Sequence, residues 1–190
     1  MRVLIACEFS GIVRDAFLAR GHDCWSCDLL PTERPGPHVQ ADVLTILGDG
    51  WDLLIAHPRC TYLCRMSYCR GDPDERKVAD ALAFVQALWA APIARIALEN
   101  PDGRLPRLWM PASQWIQPTM FGHPFTKKTG LWLKGVPPLM ATSMIFTRRQ
   151  WVHSGSGVKR GPAGNAKARA RSFPGIADAM ATQWSLEETP

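Results

Sequence analysis

The sequence has no aspartate or glutamate between residues 103 and 177, although this stretch contains 12 lysines and arginines. The first 102 residues show the opposite balance, with 14 acidic residues against 10 lysines and arginines. Such a long stretch without carboxylates favours a polyanionic partner, and we expect that partner to be nucleic acid. The alternative is an ordinary solvated basic face.

The sequence also lacks any apolar run that approaches the ~18 residues of a membrane-spanning helix. The apolar N-terminal residues are followed at once by Glu8, so they are too short for a signal peptide. We therefore expect a cytoplasmic location. The 190 residues fit one domain, 1–190, in which the Gly-, Lys- and Arg-rich segment 141–171 is predicted to be a mobile loop.

The six cysteines occur without an export signal, so we expect reduced thiols. Cys24 and Cys27 have the spacing of half a zinc site or of a redox pair, but no second half-site follows them. His57, close to Cys60, adds only slightly to the case for a metal, because a histidine at a strand end is more often a polar rim residue. We predict no metal site.

Short apolar runs alternate with helical patterns along the chain. Strands are predicted at 2–7, 24–27, 39–41, 51–56, 93–98 and 130–134, and helices after Gly11, over 77–91 and over 174–184. This alternation predicts an α/β fold with a doubly wound, mostly parallel sheet.

Two of the apolar runs end in reactive side chains. Cys60 follows the run at 51–56, and Glu99 follows the run at 93–98. Ligands of open α/β sheets bind at the carboxyl ends of the strands, so a thiol and a carboxyl at two strand ends suggest a nucleophile with an acid partner. The alternative is a small buried cysteine and a helix-start glutamate.

The order of these landmarks resembles the cytosine-C5 DNA methyltransferases. Phe9-Ser10-Gly11-Ile12 resembles that family's first S-adenosylmethionine loop, and His57-Pro58-Arg59-Cys60 resembles its Pro-Pro-Cys nucleophile loop. Glu99-Asn100-Pro101 is similar to its Glu-Asn-Val motif. The remaining matches are Asp28 after the second strand, Asp42 after the third, the segment 121–128 and Gly164-Asn165-Ala166. The series covers most of the chain in the family's order.

The resemblance implies a Rossmann-like methyltransferase fold that binds S-adenosyl-L-methionine. Phe9 would stack on this cofactor, Asp28 would bind its ribose hydroxyls and Asp42 its adenine amine. Ordinary turn or cap roles are the alternatives for both aspartates. The implied cofactor-binding residues are Phe9, Ser10, Gly11, Asp28, Asp42, Pro58 and Asn165.

The resemblance also implies a covalent mechanism at cytosine. The thiolate of Cys60, with a low pKa, would add to C6 and push electron density onto C5. Glu99, with a raised pKa, would hydrogen-bond or protonate N3, and Lys127 would hold the base or the backbone. Asn100 completes the implied catalytic set.

DNA would be bound mainly through its phosphates, because only about 40 residues stand where the family has a large target-recognition domain. The target cytosine would then be flipped out of a duplex or presented on a single strand. The predicted contacts are Arg59, Lys128, Arg148, Arg149, Lys159, Arg160, Lys167, Arg169 and Arg171.

One departure from the family bears directly on activity. Arg59 stands where the family has the second proline of Pro-Pro-Cys, which removes a fixed φ before the nucleophile. An arginine there could lower the pKa of the Cys60 thiol or grip a phosphate. Two other functions therefore stay open: methylation of a free cytosine nucleotide, and DNA binding by an inactive protein that keeps the fold. Small phage-encoded proteins resemble this one, so we expect a phage or prophage origin.

Overall fold

A seven-stranded sheet forms the centre of the protein in a computed structural model that describes residues 1–65, 74–146, 151 and 166–185. The strand order is β3-β2-β1-β4-β5-β7-β6. The strands are β1 (Arg2–Ala6), β2 (Asp23–Asp28), β3 (His38–Gln40), β4 (Leu53–Ala56), β5 (Arg95–Pro101), β6 (Gln114–Ile116) and β7 (Thr129–Lys134). Neighbouring strands from β3 to β5 pair in parallel, whereas β7 runs antiparallel to both β5 and β6.

This strand order, with β7 reversed, is typical of the Rossmann-like fold of S-adenosylmethionine-dependent methyltransferases. The predicted fold class is therefore confirmed. The crossover between β1 and β4 places the carboxyl ends of these two central strands side by side, which is where ligands of such sheets bind.

Helices cover both faces of the sheet. They are α1 (Ile12–Leu18), α2 (Glu75–Trp89), α3 (Leu105–Leu108), α4 (Ala166–Ala170) and α5 (Pro174–Gln183), and two short 3₁₀ helices span Val43–Thr45 and Pro118–Met120. In β1, Val3 and Ile5 pack in one core layer with α1 and α5, and Leu4 packs in the other with α2. No helix of the described ranges is long and apolar enough to span a membrane.

Three sequence-based boundaries differ from the structure. Glu99 and Asn100 lie inside β5 and not beyond its end, because β7 pairs with this strand as far as Pro101. Strand β6 was not predicted, since three residues are too few for a periodic pattern. In the predicted loop 141–171, residues 166–170 form α4, whereas 147–150 and 152–165 lie outside the described residues.

Cys24 and Cys27 do not face each other. They lie three residues apart in β2, so their side chains enter the core layers on opposite faces of the sheet. Both thiols are buried, and burial raises the pKa of Cys27 to about 11.

The loop after β2 is held by a buried arginine. The Arg14 guanidinium has no exposed surface and donates to Ser26 Oγ at 3.2 Å, Thr32 Oγ1 at 3.1 Å and the Arg34 carbonyl at 3.1 Å. It also forms an ion pair of 2.8 Å with Asp15. Since Arg14 belongs to α1, this network fixes the first helix against the loop that follows β2.

We predict that Arg14→Leu lowers the free energy of unfolding by about 3–5 kcal/mol, because it leaves buried acceptors without a partner. Arg34→Leu is the matched control: its guanidinium is half exposed and pairs with the same Asp15, so the loss should stay within about 1 kcal/mol. Urea unfolding of both variants measures the difference, and equal losses would contradict the role given to Arg14.

Candidate active site

Three segments that are distant in the sequence meet at the carboxyl edge of the sheet. His57 follows β4, Glu99 lies in β5 and Lys127 precedes β7. Glu99 accepts a hydrogen bond from His57, with 2.7 Å between Oε2 and Nδ1, and its Oε1 lies 4.0 Å from Lys127 Nζ. The three side chains are largely buried, so these contacts are only weakly screened.

Glu99 is ionised in this arrangement. Burial alone would raise its pKa, but the Lys127 ammonium and the His57 hydrogen bond lower it from 4.5 to about 2. The expectation of a raised pKa for Glu99 is therefore wrong for the free protein. The sequence identified the carboxyl group, but it did not indicate that Lys127 and His57 would stabilise its ionised form.

Cys60 lies beside this cluster with its thiol protonated. A side-chain hydrogen bond with Cys64 and burial raise its pKa, and Glu99 adds to that effect, whereas Lys127 opposes it. The expectation of a low-pKa cysteine is thus also wrong for the free protein. Arg59 is exposed and lowers the pKa of Cys7 on the neighbouring strand. Lys127 is the cation that favours the Cys60 thiolate.

The turn that carries Cys60 is fixed by backbone contacts. The Cys60 carbonyl accepts hydrogen bonds from the amides of Leu63 at 2.9 Å and Cys64 at 2.8 Å. Gly103 packs against this turn so closely that an added Cβ would lie 2.0 Å from the Leu63 carbonyl oxygen, and only glycine fits there. No pattern in the sequence indicates this contact between Gly103 and Leu63.

Asn100 connects the same turn to β5. It is fully buried, and its Nδ2 donates to the Pro58 carbonyl oxygen at 3.0 Å. Asn100 and Pro58 therefore position the turn that follows β4. Asn100 Oδ1 is buried and has no hydrogen-bond partner among the described residues.

A small cavity of about 20 Å³ adjoins Glu99. His57, Lys127 and Thr129 line its polar side, and α5 with the two residues before it closes the apolar side. A volume of this size holds about one water molecule and is too small for a pyrimidine ring. Binding of a base here therefore requires the apolar wall to move.

Of the predicted cofactor residues, Phe9, Ser10, Gly11, Asp28 and Asp42 follow or end β1, β2 and β3, whereas Pro58 follows β4. Cys7, directly after β1, has a φ of 58°, the only positive φ of a non-glycine among the described residues. Burial raises the pKa of Cys7 to about 12, and the nearby carboxylates of Asp28 and Asp42 add to this shift. Each aspartate also accepts a local backbone hydrogen bond, from Leu30 and Leu44 respectively, as in the alternative turn and cap roles.

The loop after β1 is built around a buried carboxylate. Glu8 accepts hydrogen bonds from the Ser10 hydroxyl at 2.9 Å and from the Val13 amide at 2.8 Å, at the start of α1. Gly11 has φ 72°, which favours glycine. The Phe9 ring is only 7% exposed, and Lys167 Nζ lies 5.4 Å from its centroid. Stacking of a cofactor on Phe9 would require Lys167 to move.

The predicted DNA contacts occupy different surroundings. Lys128 is exposed, with Nζ 4.2 Å from the centroid of the Trp115 ring. Lys167 and Arg171 both form ion pairs with Glu33, at 3.0 and 2.8 Å, and Lys127 Nζ contacts the Arg169 carbonyl at 3.5 Å. The predicted DNA contacts Arg148, Arg149, Lys159 and Arg160, and the predicted cofactor residue Asn165, lie outside the described residues.

In the described part of the chain, no group of three or more His, Cys, Asp or Glu side chains could hold a metal ion. The carboxylates of Asp28 and Asp42 instead suit hydroxyl and amine donors such as those of a nucleoside. Of the residues described above, sequence reasoning assigned no site role to His57, Thr129, Glu8, Arg14 or Gly103.

No protein-family model and no curated protein matches the sequence. Among solved structures, the fold is similar to a prophage-encoded E. coli protein named as a candidate DNA modification methyltransferase, with 14% identity over 83% of this chain and a TM-score of 0.46. It is also similar to an rRNA methylase from Escherichia coli, with 16% identity over 70% of the chain and a TM-score of 0.39. The chain spans 56% of each of these two proteins. The fold assignment rests on the strand order and directions.

The low pKa of Glu99 predicts a pH dependence of stability. Because the folded-state value of about 2 lies below the ordinary 4.5, the ion cluster stabilises the protein fully above pH 4.5 and loses this contribution as the pH falls toward 2. The loss should reach roughly 3 kcal/mol. Glu99→Gln should remove this pH-dependent contribution, so the unfolding free energies of the wild type and the variant should converge at low pH.

Glu33 is the matched comparison for this prediction. Its pKa is also lowered to about 2, chiefly by its hydrogen bond from Arg171, but the group lies at the surface. Carboxyl titration by NMR at 1 M salt, where the screening length falls to about 3 Å, should return Glu33 toward 4.5 and leave Glu99 low. A return of both groups would show that Glu99 is accessible to solvent.

Proposed function

We propose that this protein is an S-adenosylmethionine-dependent methyltransferase that methylates C5 of cytosine in DNA. The observation that carries the proposal is the meeting of Cys60, Glu99 and Lys127 at the carboxyl edge of a sheet with methyltransferase topology. These residues come from three separate parts of the chain. Each matches a different motif of the family that the sequence resembles.

The cofactor would lie across the ends of the first three strands. Asp28 and Asp42 offer carboxylates to the ribose hydroxyls and the adenine amine, and both lie near Cys7, where β1 ends in a left-handed residue. S-adenosylmethionine supplies the methyl group when bound. The contribution of this chain is to orient the cofactor beside the turn that carries Cys60.

The proposed reaction requires the protonation states of both Cys60 and Glu99 to differ from those in the free protein. Cys60 must lose its proton to add to C6 of the base, and Glu99 must gain one before it can donate to N3. Lys127 acts on both groups: it lowers the pKa of the thiol and of the carboxyl. A bound cytosine that separates Lys127 from Glu99 would remove the effect of the ammonium, and burial would then raise the pKa of the carboxyl.

A second candidate is a DNA-binding protein that keeps the fold without turnover. The protonated thiol, the ionised Glu99 and the cavity of about 20 Å³ favour it, since none of them suits a base in its reactive position. Arg59 beside Cys60 supports it as well. Both candidate functions include DNA binding. They differ in whether Cys60, Glu99 and Lys127 rearrange around a bound cytosine.

Transfer of tritium-labelled methyl groups separates these functions. We expect label in DNA with the wild-type protein and none with Cys60→Ser, because serine cannot replace the thiolate. A parallel reaction with dCMP tests the free nucleotide as substrate. DNA binding without transfer to either acceptor would leave only the inactive protein.

Cys64→Ala is the matched cysteine variant. Its thiol gives the largest contribution to the raised pKa of Cys60, so its removal should lower that pKa and extend transfer to lower pH. The pH profile of the transfer rate measures this change. A profile identical to that of the wild type would contradict the assigned contact, and loss of transfer would give Cys64 the role of nucleophile.

DNA binding should depend steeply on salt if phosphate contacts dominate. We expect Arg59→Gln and Lys128→Gln each to reduce the slope of log affinity against log salt by about one, because each removes one exposed cation near the site. Arg2→Gln is the control, since Arg2 starts β1 at the opposite edge of the sheet. Filter binding across salt concentrations measures all three, and a flat salt response of the wild type would contradict the phosphate model.

A further inference from the structure

His57 makes one short hydrogen bond, and its second ring nitrogen has no partner in the part of the chain that the structure describes. Nδ1 lies 2.7 Å from Glu99 Oε2. Nε2 is buried and has no hydrogen-bond partner among the described residues. The ring lines the cavity of about 20 Å³ beside Glu99 and Lys127. A buried polar atom next to a cavity is a position where a ligand group can bind.

The partner of Nδ1 determines what Nε2 can do. An ionised carboxylate only accepts hydrogen bonds, so the proton between Glu99 and His57 is carried by Nδ1. In the neutral form of an imidazole with its proton on Nδ1, the lone pair lies on Nε2, which makes Nε2 an acceptor.

An unpaired acceptor selects a ligand that offers an N–H or O–H group. Cytosine has an exocyclic amine at ring position 4, whereas uracil and thymine have a carbonyl there, whose lone pairs would face that of Nε2. We propose that His57 Nε2 accepts a hydrogen bond from the exocyclic amine of the target base and thereby selects cytosine over bases with a carbonyl at that position. This inference rests on the proposed function, and it adds a residue that contacts the base.

A single substitution separates this contact from mere support of Glu99. Asn places its amide nitrogen where His has Nδ1, so His57→Asn keeps a donor for Glu99 and removes Nε2. If His57 only positions Glu99, this variant behaves as the wild type. If Nε2 contacts the base, the variant loses its preference among bases.

The test uses short single-stranded thymidine oligonucleotides with one central cytosine, uracil or 2-pyrimidinone nucleoside. The 2-pyrimidinone ring has neither an amine nor a carbonyl at position 4. Competition binding to the full chain is measured by fluorescence anisotropy. We expect the wild type to bind the cytosine oligonucleotide about 10- to 100-fold more tightly than the uracil one, with 2-pyrimidinone in between. His57→Asn should reduce this ratio to about one and leave uracil binding within about twofold.

The control is Lys128→Gln, which should weaken binding of all three oligonucleotides equally and keep their ratios. Titration of the Glu99 carboxyl by NMR shows whether His57→Asn still supports that group. An unchanged ratio in His57→Asn, or a wild type that does not discriminate or does not bind, would overturn the inference.

The inference and the proposed function can fail separately. Base discrimination that depends on His57, without methyl transfer, would leave the contact intact and remove the activity. Methyl transfer with an unchanged preference in His57→Asn would leave the activity intact and remove the contact.

Discussion

The site depends on the two contacts that stabilise the buried carboxylate of Glu99, one with His57 and one with Lys127. It ties the end of β4, through His57, to β5 and to the segment before β7, through Lys127. Burying a charge is costly unless partners compensate for it, and here an imidazole and an ammonium do so from two different segments. Removal of either partner would leave a buried negative charge, so the three segments are held in one arrangement.

Backbone geometry supplies the second constraint. The turn with Cys60 can lie against the residues after β5 only because Gly103 has no side chain. Asn100 then joins that turn to β5 through the Pro58 carbonyl. Arg14 fixes the loop after β2, beside the proposed cofactor site, through its hydrogen bond to the Arg34 carbonyl. Contacts with backbone groups therefore determine the positions of the reactive side chains. Their charges are determined by neighbouring side chains and by burial.

The sequence predicted the parts of this protein that depend on local pattern. Apolar runs such as 51–56 are strands because both faces of the sheet are covered, and the parallel order follows from the helices between them. Spacing cannot show which distant side chains meet: the contact of His57 with Glu99 spans 42 residues. The pKa directions of Cys60 and Glu99 were expected from chemistry at a bound base, and the free protein has the opposite directions because Lys127 and Cys64 are the actual neighbours.

Lys127 links the two charge states that the proposed reaction needs to reverse. In the free protein its ammonium lies 4.0 Å from Glu99 and keeps that carboxyl ionised, while it lowers the pKa of Cys60 too little to offset burial and Cys64. A shift of Lys127 away from Glu99 and toward Cys60 would raise the pKa of the carboxyl and lower that of the thiol in one movement. A base that enlarges the cavity from the side of α5 would lie against Glu99 and Lys127, which both line this cavity. Substrate binding could then activate the acid and the nucleophile together, and the thiol would stay protonated until the base is in place.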